Sequence, residues 1–478
     1  MPSYTPTIGL EIHAELKTAT KMFCDSPNNP DEKHANVNVC PICLGHPGAL
    51  PVINKTAVEA VLKVGIALGG TVNKITKFDR KNYFYPDLPK GYQISQYDEP
   101  LVIGGNLNNV RLRRIHLEED TGRLLHDSED KNSSLVDFNR AGVPLMELVT
   151  EPDIKSAEEA VAFARELQLI LRYLGVSDAD MEKGHMRIEA NVSLNVGTKV
   201  EVKNINSFKA VGDAIKIELE RQEKVLKRGE KVKHETRGWD DVKYTTVSQR
   251  SKEEAKDYRY FPEPDLPPFE TESFDLVALK IEVPELPKEK RIRFQKEFGL
   301  DQERVEILVS DMDMSDFFEA AVSELQAIYP ESDRRVDPLG KIKMLYNYLT
   351  SDLQGLVKET KTTFKECKVN PEHLAHLIAL IERGKILSRG AKDILRKMIE
   401  TGSDPEDIMN SENLGTISGT KDLEKTIEEV IAEQEKAVAD YRKGKEASLK
   451  FLVGQAMSKL KGRGDPKILE ELFKKALK

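Results

Sequence analysis

Apolar and polar residues alternate strictly from Met186 to Asn195, and they alternate again from Lys199 to Lys203 after a turn near Gly197. A period of two marks a strand, so the pair predicts an antiparallel hairpin whose polar face carries Arg187, Glu189, Asn191, Glu201 and Lys203. That face is either plainly solvated or, being rich in carboxylates and basic groups, the surface of a wet active site. The run Ile8–Leu16 alternates too, placing Leu10 and Ile12 on one side of a strand and Glu11 and His13 on the other. One stretch in this half has the helical period instead. Ser156 with Glu159 three residues later forms a capping box, and Phe163, Leu167, Ile170, Leu171 and Leu174 make an apolar stripe ending at Gly175.

Six prolines between Pro262 and Pro287 mark a stiff connection, and beyond about Arg293 the pattern is helical to the end. Near Gly402 and Gly415 it divides again, after which Leu423, Ile427, Val430, Ile431 and Val438 keep a helical period. The expected architecture is α+β: a sheet-rich N-terminal domain over residues 1–293, an all-helical domain over 294–408 and a small helical tail domain over 409–478. The length of 478 residues agrees, since about one domain per 150 residues gives roughly three.

Composition narrows the class. Hydrophobic residues make up 39% and charged ones 32%, with no long apolar run and no basic segment followed by an apolar one at the start, so a cytoplasmic protein without a membrane span is expected. The net charge of −9 argues against generic nucleic-acid binding. Residues 441–478, however, hold eleven Lys/Arg against four Asp/Glu, a local +7 that either meets phosphate or is a solvated helical face. No Walker A sequence, dinucleotide glycine fingerprint or HExxH motif occurs, so any nucleotide chemistry uses another architecture.

Several segments can carry chemistry. Glu11 and His13 on one strand face can bind a divalent cation or simply face solvent. His116-Leu-Glu-Glu-Asp120 is a second acidic group, and Glu147 sits in an otherwise apolar strand, where burial demands a cation or an arginine such as Arg140 as partner. The segment Phe78–Gln96 interleaves aromatic and basic residues. It can stack on a terminal base while Arg80, Lys81 or Lys90 meets phosphate, or it is a structural loop; Asp257–Pro268 invites the same two readings. Four cysteines in this length are no disulfide framework, but Cys24, Cys40 and Cys43 cluster with a CxxC knuckle while Cys367 stands alone. The knuckle is that of a zinc site but brings only three thiols, so the group is either a zinc site, with His34 or Asp25 within the loop to complete a tetrahedron, or a set of reduced packing cysteines.

In sequence order, Gly-Leu-Glu-Ile-His, Cys-Pro-Ile-Cys-Leu-Gly-His-Pro-Gly, Asp-Arg-Lys-Asn-Tyr-Phe-Tyr-Pro-Asp-Leu-Pro and Asp-Tyr-Arg-Tyr-Phe-Pro-Glu-Pro-Asp resemble the motifs of the B subunits of aspartyl/glutamyl-tRNA amidotransferases, and the likeness runs on to Phe451-Leu-Val-Gly-Gln455. The resemblance implies a cradle-shaped catalytic domain, a helical domain and a tail that contacts tRNA. It also implies a heterotrimer with an amidase-type A subunit, which frees ammonia from glutamine, and a small C subunit. The substrates implied are Glu-tRNA(Gln) and Asp-tRNA(Asn), whose side-chain carboxylate is phosphorylated by ATP and then amidated; a non-catalytic, tRNA-positioning subunit is the alternative. On this resemblance Glu11, His13, Glu118, Glu119 and Glu147 form the catalytic cluster, with His13, Glu119 and Glu147 on magnesium, although strand alternation lets only one of Glu118 and Glu119 face it. Lys81, Arg187, Glu201 and Lys203 are expected to contact nucleotide, acyl group or acceptor end, and Cys24, Cys40 and Cys43 to hold zinc. Many members carry a further cysteine where this chain has Ser26, which leaves the fourth ligand open between Asp25, His34 and water.

Overall fold

The computed structural model describes residues 4–29, 31–126, 133–251, 258–329, 338–417 and 420–477. Contacts divide the chain into two units, Met1–Pro287 and Lys288–Lys478. The first is mixed α+β and sheet-rich; the second is helical.

The first unit is built on a ten-stranded sheet. Seven of its strands are β1 (Pro6–Glu15), β2 (Val110–Glu119), β3 (Pro144–Thr150), β4 (Met186–Leu194), β5 (Val200–Ile205), β6 (Glu235–Asp240) and the edge strand β7 (Thr245–Ser251). They lie in the order β7-β6-β5-β4-β1-β3-β2. The N-terminal strand is therefore central, between β3 and β4, and every pairing among these strands is antiparallel except β5 with β6.

Alternation decides the two faces. Ile8, Leu10, Ile12 and Ala14 of β1, Met146 and Leu148 of β3, and Met186, Ile188, Ala190 and Val192 of β4 all point to one side and are fully buried. They pack on three helices, α1 (Lys55–Ala67), α2 (Ala157–Tyr173) and α3 (Phe208–Lys227), through side chains such as Val61, Phe163, Leu167 and Val211. Burying such side chains stabilises the sheet by about 1.5–3 kcal/mol each. The residues between them in sequence, Glu11, His13, Glu147, Arg187, Glu189 and Glu201, consequently share the other face.

The predicted hairpin is β4–β5, joined through Asn195 and Val196, both at positive φ. The predicted helix is α2. Ser156 accepts from the Glu159 amide as expected, but the Glu159 carboxylate accepts from the amide of Lys155 rather than of Ser156, one residue further out than in a reciprocal box. In the second unit Leu423, Ile427 and Val430 lie on helix Thr420–Glu433, while Val438 belongs to the next helix, Glu435–Arg442. With Leu449, Leu452, Leu469 and Phe473 these residues form a core of their own. Among the described residues no helix is long and apolar enough to cross a membrane.

Candidate active site

Register across three neighbouring strands builds the polar face. His13 of β1 stands opposite Glu147 of β3, and Glu147 stands opposite His116 of β2. His13 Nε2 lies 3.4 Å from Glu118 Oε1 and 3.5 Å from Glu147 Oε2, and His116 Nε2 lies 3.2 Å from the same Glu147 oxygen. Ser95 Oγ donates to Glu118 Oε2 at 3.1 Å. Burial alone would push the His13 imidazole down, but Glu147 and Glu118 outweigh it and hold the group at about 10. Burial raises both carboxyls. At Glu118 the hydrogen bond and charge of His13 together with the charge of Lys81 outweigh it, and at Glu147 the charges and hydrogen bonds of His116 and His13 together do so, so both stay below the usual carboxylate range. Burial also disfavours the ammonium of Lys81 beside them, but the charge of Glu118, with smaller contributions from Tyr260 and Glu147, more than offsets it and raises the lysine's affinity for the proton. Two ionised carboxylates are thus held next to each other only because cations surround them.

Alternation also separates Glu118 from Glu119. Glu118 joins His13 and Glu147; Glu119, the member expected on magnesium, turns to the opposite side of the sheet. There it pairs with Lys90 Nζ at 2.6 Å and accepts from the Ile94 amide at 3.0 Å. Glu147 is not partnered by Arg140, which lies 3.4 Å from Asp120 instead. Asp120 in turn holds Arg187 at 2.9 Å, and the Asp120 charge raises the arginine's pKa.

Glu11 belongs to a different group. Opposite Glu189 across β1–β4, it brings one oxygen within 4.8 Å of oxygens on Glu189 and Glu201. Asn191 Nδ2 donates to Glu11 at 2.8 Å, Thr236 Oγ1 to Glu201 at 2.8 Å, and Lys203 Nζ reaches Glu189 at 2.7 Å and Glu201 at 3.5 Å. The expected single cluster is therefore two adjacent acidic triads, because residues i and i+2 on β1 meet different neighbours on β3 and β4.

Two family models match the chain: a GatB/GatE catalytic domain over residues 6–275 and a GatB domain over residues 335–477. The B subunit of the aspartyl/glutamyl-tRNA(Asn/Gln) amidotransferase of Thermomicrobium roseum is 45% identical over 489 aligned residues, spanning 99% of this chain and 99% of that one. The protein of the same description from Thermotoga petrophila is 43% identical, with 99% of each chain covered. The one from Gloeothece citriformis is 42% identical over 99% of this chain and 98% of its own. The chain belongs to the GatB family of amidotransferase subunits.

Within this GatB-family chain the cysteines come together as well. One sulfur each of Cys24, Cys40 and Cys43 lies within 4.8 Å of the others, with Cys40 Sγ and Cys43 Sγ 3.8 Å apart. Cys43 accepts from the Cys40 amide at 3.1 Å, and Ser26 Oγ lies 4.0 Å from its sulfur. The hydrogen bond from Cys24, the Cys40 amide and the Lys21 charge together overcome burial and bring the Cys43 thiol down to about 4. Neither Asp25 nor His34 joins the group: the His34 side chain is 86% exposed and bonds Glu32. Local spacing does not point to Lys21, whose fully buried ammonium lies 3.8 Å from Cys43 Sγ and donates to the Phe138 carbonyl at 3.3 Å. His116, named in the second acidic group but given no role there, belongs to the site, and its place two residues before Glu118 puts both on one face. The aromatic segment closes on the later one, with Asn82 Nδ2 donating to the Arg259 carbonyl at 2.8 Å and Tyr97 stacked on Tyr260 at 4.3 Å; Asp257 lies outside the described residues.

Proposed function

We propose that this chain is the subunit of a tRNA-dependent amidotransferase that activates the side-chain carboxylate of Glu-tRNA(Gln), Asp-tRNA(Asn) or both with ATP, and amidates it with ammonia. The observation that carries this reading is the buried triad His13, Glu118 and Glu147 with Lys81 beside it, in a chain of this family.

The chemistry calls for such a site. A carboxylate does not lose hydroxide to ammonia at neutral pH, so its oxygen first attacks the γ-phosphorus of ATP and releases ADP. Ammonia then attacks the acyl carbon, phosphate leaves, and the nitrogen gives up a proton. His13, Glu118 and Glu147 would hold magnesium: His13 Nε2 lies 3.4–3.5 Å from an oxygen of each carboxylate, and all three ligand atoms lie within 4.8 Å of one another, where the neighbouring ligands of an octahedral ion are roughly 3 Å apart. When bound, the ion supplies charge that neutralises the phosphoryl oxygens. His116 orients Glu147 from behind, Lys81 adds a fixed positive charge, and Arg187 and Lys203 line the neighbouring face for substrate phosphate or carboxylate. Glu11, Glu189 and Glu201 give that face a second acidic patch, where Lys203 balances part of the charge.

The remaining parts of the reading concern assembly. Ammonia comes from an amidase-type A subunit, a small C subunit completes the heterotrimer, and the cytoplasm supplies the charged tRNA. The tail domain, residues 409–478, meets the tRNA backbone through the local positive charge of residues 441–478. Cys24, Cys40 and Cys43 hold a structural zinc, with water as the fourth ligand because Asp25 and His34 stand outside the group. To test the function, the assembled enzyme is given each mischarged tRNA with ATP, magnesium and glutamine, and the amino acid released from the tRNA is identified. Glutamine or asparagine is expected; recovery of unchanged glutamate and aspartate from both would leave only a tRNA-positioning role.

A further inference from the structure

One feature beside the triad takes no part in it. The strand Asp79–Asn82 ends in a loop that presents Phe84 with 84% of its surface exposed and Tyr85 with 53%. The loop backbone is fixed: Asn82 donates to the Tyr258 carbonyl at 2.9 Å, Leu88 to Tyr85 at 3.1 Å and Gly91 to Leu88 at 3.0 Å. Gly91 has φ +76°, and a Cβ built there would lie 3.2 Å from Phe84 Cε1. The ring thus rests on bare backbone on one side and offers its other face to solvent. An open cavity of about 490 Å³ lies over it, lined by Phe84, Tyr85, Pro86, Leu88, Pro89 and Lys90.

We propose that Phe84, with Tyr85 beside it, is the stacking platform for the adenine of the tRNA's 3′-terminal adenosine. A flat, exposed aromatic ring on a rigid loop suits a nucleobase, which offers a π-face whatever its sequence context. Spacing selects the terminal base. Lys81 stands opposite Gln93, whose Nε2 donates to the Glu119 carbonyl at 2.8 Å, and Ser95 on the same strand as Gln93 donates to Glu118 at 3.1 Å; Lys81 precedes Phe84 by three residues, so the two Cα atoms are at most about 10–11 Å apart. An amino acid esterified to the terminal ribose puts roughly nine bonds, about 11 Å when extended, between its side-chain carboxyl and the base. With the base on Phe84, the carboxyl hangs on a tether as long as the whole Lys81–Phe84 span, enough to approach the triad from the loop. This inference rests on the proposed reaction only in taking the ligand to be a charged tRNA.

ATP carries adenine too, so the test separates the two sources. The assembled enzyme is titrated with mischarged tRNA whose terminal adenosine is replaced by 2-aminopurine riboside, and steady-state constants are measured with unmodified substrates. Stacking should quench the probe in the wild type. Phe84→Ala should abolish the quenching and raise the KM for charged tRNA about tenfold with the KM for ATP unmoved, and Phe84→Trp should restore both. Quenching and tRNA KM left unchanged by Phe84→Ala, or a rise confined to the KM for ATP, would overturn the platform. The probe reads binding without turnover, so a wild type that quenches but forms no amide would sink the reaction and not the platform.

Discussion

The acid–imidazole triad on the sheet and the thiol triad near the N-terminus each bring three ligand atoms within 4.8 Å, yet they are assembled in different ways. His13, Glu118 and Glu147 come from three strands far apart in sequence, and their charge is balanced by protons on His13 and Lys81. Cys40 and Cys43 come from one tight loop closed on Cys24, and Lys21 is the buried cation among them. The first triad is hard oxygen and imidazole on a polar face, suited to a cation that must exchange with substrate. The second is soft sulfur packed against the core, suited to an ion that stays.

The largest effect separating the two should come from removing a member of the first. His13→Ala or Glu147→Ala should lower ATP-dependent amidation on the order of 10³-fold while glutamine hydrolysis by the proposed A subunit stays measurable, as parallel assays of both activities would show. Near-normal amidation at ordinary magnesium would remove the triad from the chemistry.

Glu118→Gln and Glu119→Gln then sharpen the assignment within a single strand. The first should abolish magnesium binding in a calorimetric titration. The second should retain it but lower unfolding stability by about 2 kcal/mol, because it leaves the half-buried Lys90 without its charged partner. Reversed outcomes would exchange the two roles.

Charge balance gives the triad a pH signature of its own. In the metal-free protein the His13 pKa is raised to about 10 from 6.5. The stability it contributes is complete below about pH 6.5 and lost as pH rises through about 10. Magnesium requires the neutral imidazole and must expel that proton. Its apparent affinity should therefore climb with pH from about 7 to 9, by up to about tenfold per unit. Isothermal titration in buffers of different ionisation enthalpy would count the protons; none released would contradict the ligand set.

Smaller effects concern scaffolding and the tail. Protein purified without chelator should contain about one equivalent of zinc, and Cys40→Ser should lose it with a fall of about 5 °C in thermal midpoint rather than a loss of chemistry. Metal-free wild type that is folded and active would leave only packing cysteines. Deleting residues from about Ser411 onward should weaken tRNA binding and flatten its salt dependence, read from Kd across a salt series; an unchanged slope would make the basic stretch a solvated face.

Local order is legible in the sequence, and what depends on distant pairing is not. The β4–β5 hairpin, helix α2 and the two sides of β1 follow from periods that a few residues reveal. Alternation also requires Glu118 and Glu119 to part, although it cannot say which meets His13. That answer comes from the β2–β3 register, set by contacts between residues about thirty positions apart. Glu11 and His13 read as one group because both lie on one face, yet β1 is flanked by strands beginning at Pro144 and Met186, and their side chains divide the face into two triads. Lys21 carries no motif, and Lys90, read within the aromatic segment as a phosphate contact, pairs with Glu119 instead; both partners are fixed only by loop packing.

The central claim is that the triad activates a carboxylate with ATP, and ADP formation by the assembled enzyme without glutamine tests it most directly. Wild-type enzyme should release ADP only when mischarged tRNA is present, and Glu147→Ala enzyme should release none under the same conditions. ADP formed equally by Glu147→Ala, or formed by the wild type without mischarged tRNA, would contradict it.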